Sequence, residues 1–157
     1  MAMIMYNQTI MTPLVYLDNC CFNRPFDDKT VFRNRMEADA KLQVQREMAD
    51  GKLRLIWSFI LELENDDNPY DEIRAQITAW KDIAAINVKW NPEIIELAKR
   101  NQGVFFIRPK DALHVACAQT AHADYFLTTD RKLLAKIRFL ENIRCINPVE
   151  WIEGGNL

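Results

Sequence analysis

The sequence has few cysteines, few histidines and no long apolar run. Its four cysteines include no Cys-x-x-Cys pair and its two histidines show no zinc spacing, so we expect no zinc site. No stretch approaches the length of a transmembrane helix, and the amino-terminal residues lack a signal-peptide pattern. These features predict a cytoplasmic protein with reduced thiols and no membrane partner.

An excess of positive charge is also absent. The chain carries 20 Lys and Arg against 22 Asp and Glu, so no overall field draws it onto nucleic acid. This excludes a simple DNA-coating protein but leaves room for an enzyme that contacts a few phosphates. With 157 residues, the chain is long enough for one domain with a hydrophobic core. We expect a single domain over 1–157, in which the Met-rich residues 1–13 form a flexible leader.

Short apolar runs alternate with helical segments along the chain. The apolar runs predict strands at 14–17, 53–57, 125–128 and 143–146. The segment 19–25 is typical of a loop, and Ser58 is placed to cap a helix that carries Glu62 and Glu64. Other helices are predicted at about 27–49, 70–85, 91–102, 109–122 and 131–138. This alternation predicts βαβ crossovers, and therefore an α/β domain with a parallel sheet covered on both faces.

Acidic side chains stand at the ends of these elements. Asp18 and Asp130 each follow an apolar strand, and Asp111 lies in the first turn of the helix that Pro109 opens. A carboxylate left unpaired there would lose hydration, at a cost of several kcal/mol. Mg²⁺ or Mn²⁺ would satisfy such oxygen ligands, and could activate water against a phosphodiester. The alternative for each acid is a helix-terminal role, as a cap or in favourable contact with the helix dipole.

Three segments resemble the PIN-domain family: LDNCCFNRPFD at 17–27, KDALHVA at 110–116 and LTTD at 127–130. They occur in the family's order, and the similarity extends from about Val15 to Ile152. The resemblance implies an RNase H-like three-layer α/β/α sandwich with a central, mainly parallel sheet. It also implies an acidic cluster that binds Mg²⁺ or Mn²⁺ and hydrolyses single-stranded RNA. Many bacterial members are toxins, so an antitoxin partner and a homodimer are further expectations.

Carried over to the matching positions, the catalytic and metal-binding acids would be Asp18, Glu64, Asp111 and Asp130. The second-helix acid is a choice between Glu62 and Glu64. These two differ by about 200° around a helix, so only one can face the site. Glu64 is preferred because it lies six residues after Ser58 and shares a helical face with Ile60 and Leu61.

Other side chains are candidates for substrate binding or support. Asn19 would hydrogen-bond a metal-bound water or stabilise its own loop, and Thr129 gains a supporting role only from the resemblance. Arg131 and Lys132 would hold an RNA backbone or form a solvated face. His114 is interpreted as a packed, hydrogen-bonded histidine rather than a general acid. A competing hypothesis is a non-catalytic module of the same fold that binds RNA or protein, although retention of all four acids argues against it.

Overall fold

A computed structural model describes residues 12–23 and 28–154. Residues 1–11 of the predicted leader lie outside this range. Five strands form one sheet in which every neighbouring pair is parallel. The strands are β1 (Leu14–Leu17), β2 (Arg54–Ser58), β3 (Ile86–Val88), β4 (Tyr125–Leu127) and β5 (Arg144–Ile146). Their spatial order is β3-β2-β1-β4-β5, which places β1 at the centre.

Helices flank the sheet, an arrangement consistent with a three-layer α/β/α sandwich. They are α1 (Asn19–Asn23), α2 (Phe32–Ala49), α3 (Phe59–Asp66), α4 (Asp71–Ile83), α5 (Pro92–Phe105), α6 (Pro109–Thr120), α7 (Arg131–Ile137) and α8 (Pro148–Glu153). The prediction of an α/β fold around a parallel sheet is therefore confirmed. No helix in the described residues has both the length and the apolar character needed to cross a membrane.

The central strand is buried along its whole length. Leu14, Val15, Tyr16 and Leu17 are each at most 5% exposed, as expected for a parallel strand covered on both faces. The Tyr16 ring stacks on Phe126 of β4, with ring centroids 5.3 Å apart. The pairing of β1 with β4 sets Leu17 opposite Leu127, so both strands end at the same level of the sheet.

Three of the predicted boundaries were wrong. The predicted loop at 19–25 begins with the helix α1, because Cys21 and Phe22 turn into the core. The helix predicted from 27 begins at Phe32, because the Asp28 side chain accepts bonds from Thr30 and forms a turn there. The helix expected to end near residue 103 continues through Gly103, and its C-cap is Phe106 in a left-handed conformation with φ of 56°.

Two elements were absent from the sequence prediction. Strand β3 has only three residues, of which Val88 alone is buried, so its apolar signal is weak. Helix α8 has six residues and was missed because Asn147 and Pro148 were interpreted only as the end of β5. In the structure, Asn147 caps α8 in a reciprocal capping box with Glu150, and Pro148 occupies its first turn.

We expect Asn147→Ala to destabilise the protein more than Asn91→Ala. Each asparagine caps a helix, a contact whose loss costs about 1 kcal/mol. The Asn147 amide also donates to the carboxylate of Glu37, which is 2% exposed, and weakening that bond costs about 1–3 kcal/mol more. Urea unfolding of both variants tests this, and equal losses would contradict it.

Candidate functional site

The four predicted acids are at the carboxyl edge of the sheet. Asp18 follows β1, and Asp130 follows β4 after two buried threonines. Asp111 lies in the first turn of α6, and Glu64 lies in α3, the helix that follows β2. Parallel strands all end on one edge, so residues that follow them face a common region. Shared hydrogen-bonding partners show that these carboxylates are neighbours.

Asp18 is the most buried of the four, at 6% exposure. One carboxylate oxygen, Oδ1, accepts the backbone N–H of Asn19 at 2.8 Å. The other, Oδ2, accepts the Thr128 hydroxyl at 2.9 Å and the Cys20 thiol at 3.4 Å. An ionised carboxylate has only acceptors, so these donors satisfy it in place of water and fix its orientation.

Arg108 connects two of the other acids. Its Nε lies 3.3 Å from Oδ2 of Asp111, and its Nη2 lies 3.5 Å from Oδ2 of Asp130. The two carboxylates therefore approach the same guanidinium group, whose side chain is 78% exposed. The sequence alone supports Arg108 only weakly as a site residue, because it precedes the helix that Pro109 opens. Arg108 is the N-cap residue of α6, and its position three residues before Asp111 is the signal that could have identified the contact.

Asp111 is affected electrostatically by the cluster. Burial raises the pKa of Asp111, and the negative charge of Asp18 raises it further. Arg108 opposes this increase without cancelling it, while Asp130 adds to it. The pKa of Asp111 therefore lies above its ordinary value, because burial and the neighbouring carboxylates both disfavour its charged form.

Of the two acids on α3, Glu64 is the one at this site. Its Oε2 accepts the side-chain amide of Asn19 at 3.3 Å, and its Oε1 contacts Nε2 of His114. Glu62 instead forms an ion pair with Lys81 of α4, with Nζ and Oε1 2.6 Å apart. The two side chains therefore lie on different sides of α3, as the angle between them around the helix requires.

His114 joins the site to a buried chain of hydroxyl groups. Its Nδ1 lies 2.6 Å from the Tyr16 hydroxyl, which lies 2.7 Å from Oγ of Ser58. Its Nε2 contacts Glu64 and lies 3.7 Å from Oδ1 of Asp18. Burial lowers the pKa of His114, but Asp18 and Glu64 together outweigh burial and raise it above the ordinary value. The cluster thus favours the charged form of the imidazole more than water does.

The pKa of Glu64 shifts in the direction opposite to that of His114. Burial raises the pKa of Glu64, but the hydrogen bond and the positive charge of His114 lower it to below its ordinary value. The two partners therefore shift in the directions expected for an ion pair. This pair keeps Glu64 ionised at the edge of the cluster.

The residues predicted to support the site or bind substrate differ in their exposure and in their contacts. Thr129 is 2% exposed, and its carbonyl accepts a bond from Arg33, so its side chain is not presented to a substrate. Thr128 is the threonine that connects two acids, because its hydroxyl donates to Asp18 and accepts the backbone N–H of Asp130 at 3.1 Å. At the start of α7, just past Asp130, the exposed residues are Arg131 and Lys132.

The four carboxylates are the type of ligand that Mg²⁺ and Mn²⁺ prefer, because both ions bind oxygen atoms. Burial raises the pKa of Asp111 and the charge of Asp18 raises it further, and a bound cation would oppose both effects. As the side chains lie here, no three or more His, Cys, Asp or Glu within 12–23 and 28–154 form a group that could hold a metal ion. The carboxylates suit such an ion by chemistry and charge, and in this structure they contact Arg108 and His114 instead.

We expect Glu64→Gln to lower the pKa of His114, because it removes one of the three carboxylates that raise it. A raised histidine pKa stabilises the fold below about pH 6.5, and this contribution is lost as the pH rises through the folded-state value. The stability difference between wild type and Glu64→Gln should therefore shrink as the pH rises through that range.

Proton NMR titration can measure this pKa directly, because the chain has only two histidines. The exposed His122 provides a second imidazole signal in the same spectrum. Urea unfolding at several pH values provides the stability difference. An unchanged His114 titration in Glu64→Gln would contradict the ion pair.

Comparisons with known proteins assign no family to the chain. No family model matches the sequence, and no curated protein matches it at a significant level. Two observations therefore indicate a function: the resemblance of three short segments to the PIN-domain family, and the acidic cluster around Asp18, Asp111 and Asp130.

Proposed function

We propose that this protein is a metal-dependent endoribonuclease that hydrolyses phosphodiester bonds in single-stranded RNA. The observation that carries the proposal is the convergence of acids at one edge of the sheet, where Arg108 contacts Asp111 and Asp130 while Asp18 raises the pKa of Asp111. Mg²⁺ or Mn²⁺ would be held by Asp18, Glu64, Asp111 and Asp130. When bound, the ion would lower the pKa of a water molecule and stabilise negative charge on the phosphodiester.

Several neighbouring residues orient the acids at this edge or affect their charge. Thr128 and the N–H of Asn19 hold the Asp18 carboxylate in one orientation. His114 keeps Glu64 ionised by lowering its pKa. The guanidinium of Arg108 is largely exposed, and its planar group of donors is suited to a phosphate that approaches Asp111.

RNA binding at this edge requires positive charge beside the acids, because an acidic cluster repels a phosphate backbone. Arg108, Lys110, Arg131 and Lys132 are all exposed. Lys110 lies near enough to Glu64 to help lower its pKa. Phosphate contacts by these residues would make RNA binding weaken as salt rises. A toxin role, an antitoxin partner and a homodimer remain predictions from the PIN resemblance.

A second candidate is a non-catalytic interaction module. One observation favours it: the side chains of Arg108 and His114 already lie within ion-pair distance of all four acids, and no metal-holding group occurs among the described residues. In that case the acids would be structural ion pairs. Binding of a divalent ion distinguishes the two candidates.

We expect wild type to cleave a mixed pool of single-stranded RNA at low salt with Mn²⁺ or Mg²⁺, and not with EDTA. Asp111→Asn should reduce the rate by more than about 100-fold, since loss of outer-shell partners alone typically costs 10- to 100-fold. Gel analysis of the cleavage products measures both effects. Cleavage that persists in EDTA would exclude the metal-dependent reaction.

Glu64→Gln and Glu62→Gln form a matched pair for the same assay. Both changes neutralise one acid on α3, but only Glu64 contacts Asn19 and His114. We expect Glu64→Gln to lose cleavage, whereas Glu62→Gln should retain it because Glu62 pairs with Lys81 away from the site. Equal activity in the two variants would remove Glu64 from the proposed mechanism.

A melting experiment tests the metal without depending on activity. At a Mn²⁺ concentration 100 times its Kd, wild type should melt about 5–10 °C higher than in EDTA. Asp111→Asn should show a smaller increase. In EDTA it should be at least as stable as wild type, because it removes a carboxylate that its neighbours disfavour. If Mn²⁺ leaves the melting temperature of wild type unchanged, the interaction module becomes the better explanation.

A further inference from the structure

Phe106 is an aromatic residue in a backbone conformation that disfavours it. It ends α5 with φ of 56° and ψ of 45°, the left-handed region in which glycine is usual. Its side chain is also 79% exposed. Neither backbone preference nor burial explains phenylalanine here, because glycine would adopt the same conformation freely and a polar side chain would suit the exposure. A bulky residue held in this way indicates a functional constraint.

The backbone around Phe106 is fixed on both sides. Its N–H donates to the carbonyl of Gln102, and its own carbonyl accepts Nζ of Lys136 at 2.7 Å. Two residues later, Arg108 contacts Asp111 and Asp130. Phe106 therefore presents an exposed ring from a well-anchored segment that leads into the acidic cluster.

Positive side chains connect the acidic cluster to Phe106 along α7. Asp130 is the N-cap of this helix, and Lys136 lies about 9 Å further along its axis. Lys132 and Lys136 are four residues apart and so lie on one side of α7. Both are exposed, as is Arg108. A nucleic-acid backbone that runs from the acidic cluster along α7 would contact these positive side chains before it reached Phe106.

We propose that Phe106 is a stacking platform for an unpaired base of single-stranded nucleic acid, with Arg108, Lys132 and Lys136 contacting the backbone phosphates. Aromatic rings stack on any base, and such platforms combine with cationic grooves in proteins that bind single strands. The neighbouring cations favour this ligand over an apolar protein surface. The proposal deepens the proposed function and rests on it for the path of the strand past the acids.

Binding is measured in EDTA at low salt by fluorescence anisotropy, so that cleavage does not interfere. The probes are a labelled eight-nucleotide uridine RNA and an abasic ribose-phosphate strand of the same length. Phe106→Gly should weaken binding of the uridine RNA about tenfold and leave the abasic strand unaffected. Phe106→Trp should bind like wild type. Phe139→Ala, which removes a ring that is 94% exposed beyond the far end of α7, should also bind like wild type.

Thermal melting separates this role from a structural one. Phe106→Gly should melt at a temperature equal to or above that of wild type, because glycine tolerates the left-handed conformation. Weaker binding in a variant that is no less stable would identify the ring as a ligand contact.

Equal affinity of wild type and Phe106→Gly for the uridine RNA would overturn the platform, while metal-dependent cleavage by wild type would still support the nuclease. Conversely, Phe106-dependent binding without cleavage would support the platform and contradict the nuclease. If Phe106→Gly instead abolishes self-association measured by sedimentation and leaves RNA affinity unchanged, Phe106 contacts a second copy of the chain and the platform is excluded.

Discussion

The buried carboxylate of Asp18 is the constraint on which the carboxyl edge of the sheet depends. Removing an ionised carboxylate from water costs several kcal/mol unless donors replace the solvent. Here the donors come from separate parts of the chain, namely the N–H of Asn19 after β1 and the hydroxyl of Thr128 after β4. The Nε2 atom of His114 in α6 lies 3.7 Å from the same carboxylate, whose charge helps raise the pKa of the imidazole. The hydrogen-bonding partners of Asp18 can reach it only if the ends of β1 and β4 and the helix α6 keep fixed positions relative to one another.

The two cations at this edge differ in what they can do. His114 is 1% exposed and hydrogen-bonded at both ring nitrogens, so its charge is committed to Glu64 and Asp18. Arg108 is largely exposed, and its contacts with Asp111 and Asp130 are long, at 3.3 and 3.5 Å. Exposed ion pairs of this kind contribute little to stability. Arg108 can therefore leave its two carboxylates at small cost, whereas moving His114 away from its partners would leave buried polar groups without hydrogen bonds.

The sequence was sufficient to predict the parts of the site that depend on periodicity. Parallel strands ending at Leu17 and Leu127 bring Asp18 and Asp130 together, and helical geometry separates Glu62 from Glu64. The contact of Arg108 with Asp130 could not be predicted, because it depends on how closely α6 approaches α7. One local signal was misleading: Gly103 is typical of a helix end, yet α5 continues through it to Phe105, and Phe106 takes the left-handed cap position instead.

Two departures from folding preference lie beside α7, namely the raised pKa of Asp111 and the left-handed backbone of Phe106. Left-handed residues also occur at His122 and Asn142, in the connections that lead into β4 and β5, so this conformation alone does not mark a site. Phe106 differs from both in carrying a large apolar ring that is 79% exposed. An exposed ring in a disfavoured conformation gains nothing from the core, and a ligand that contacts the ring is the explanation that accounts for both features.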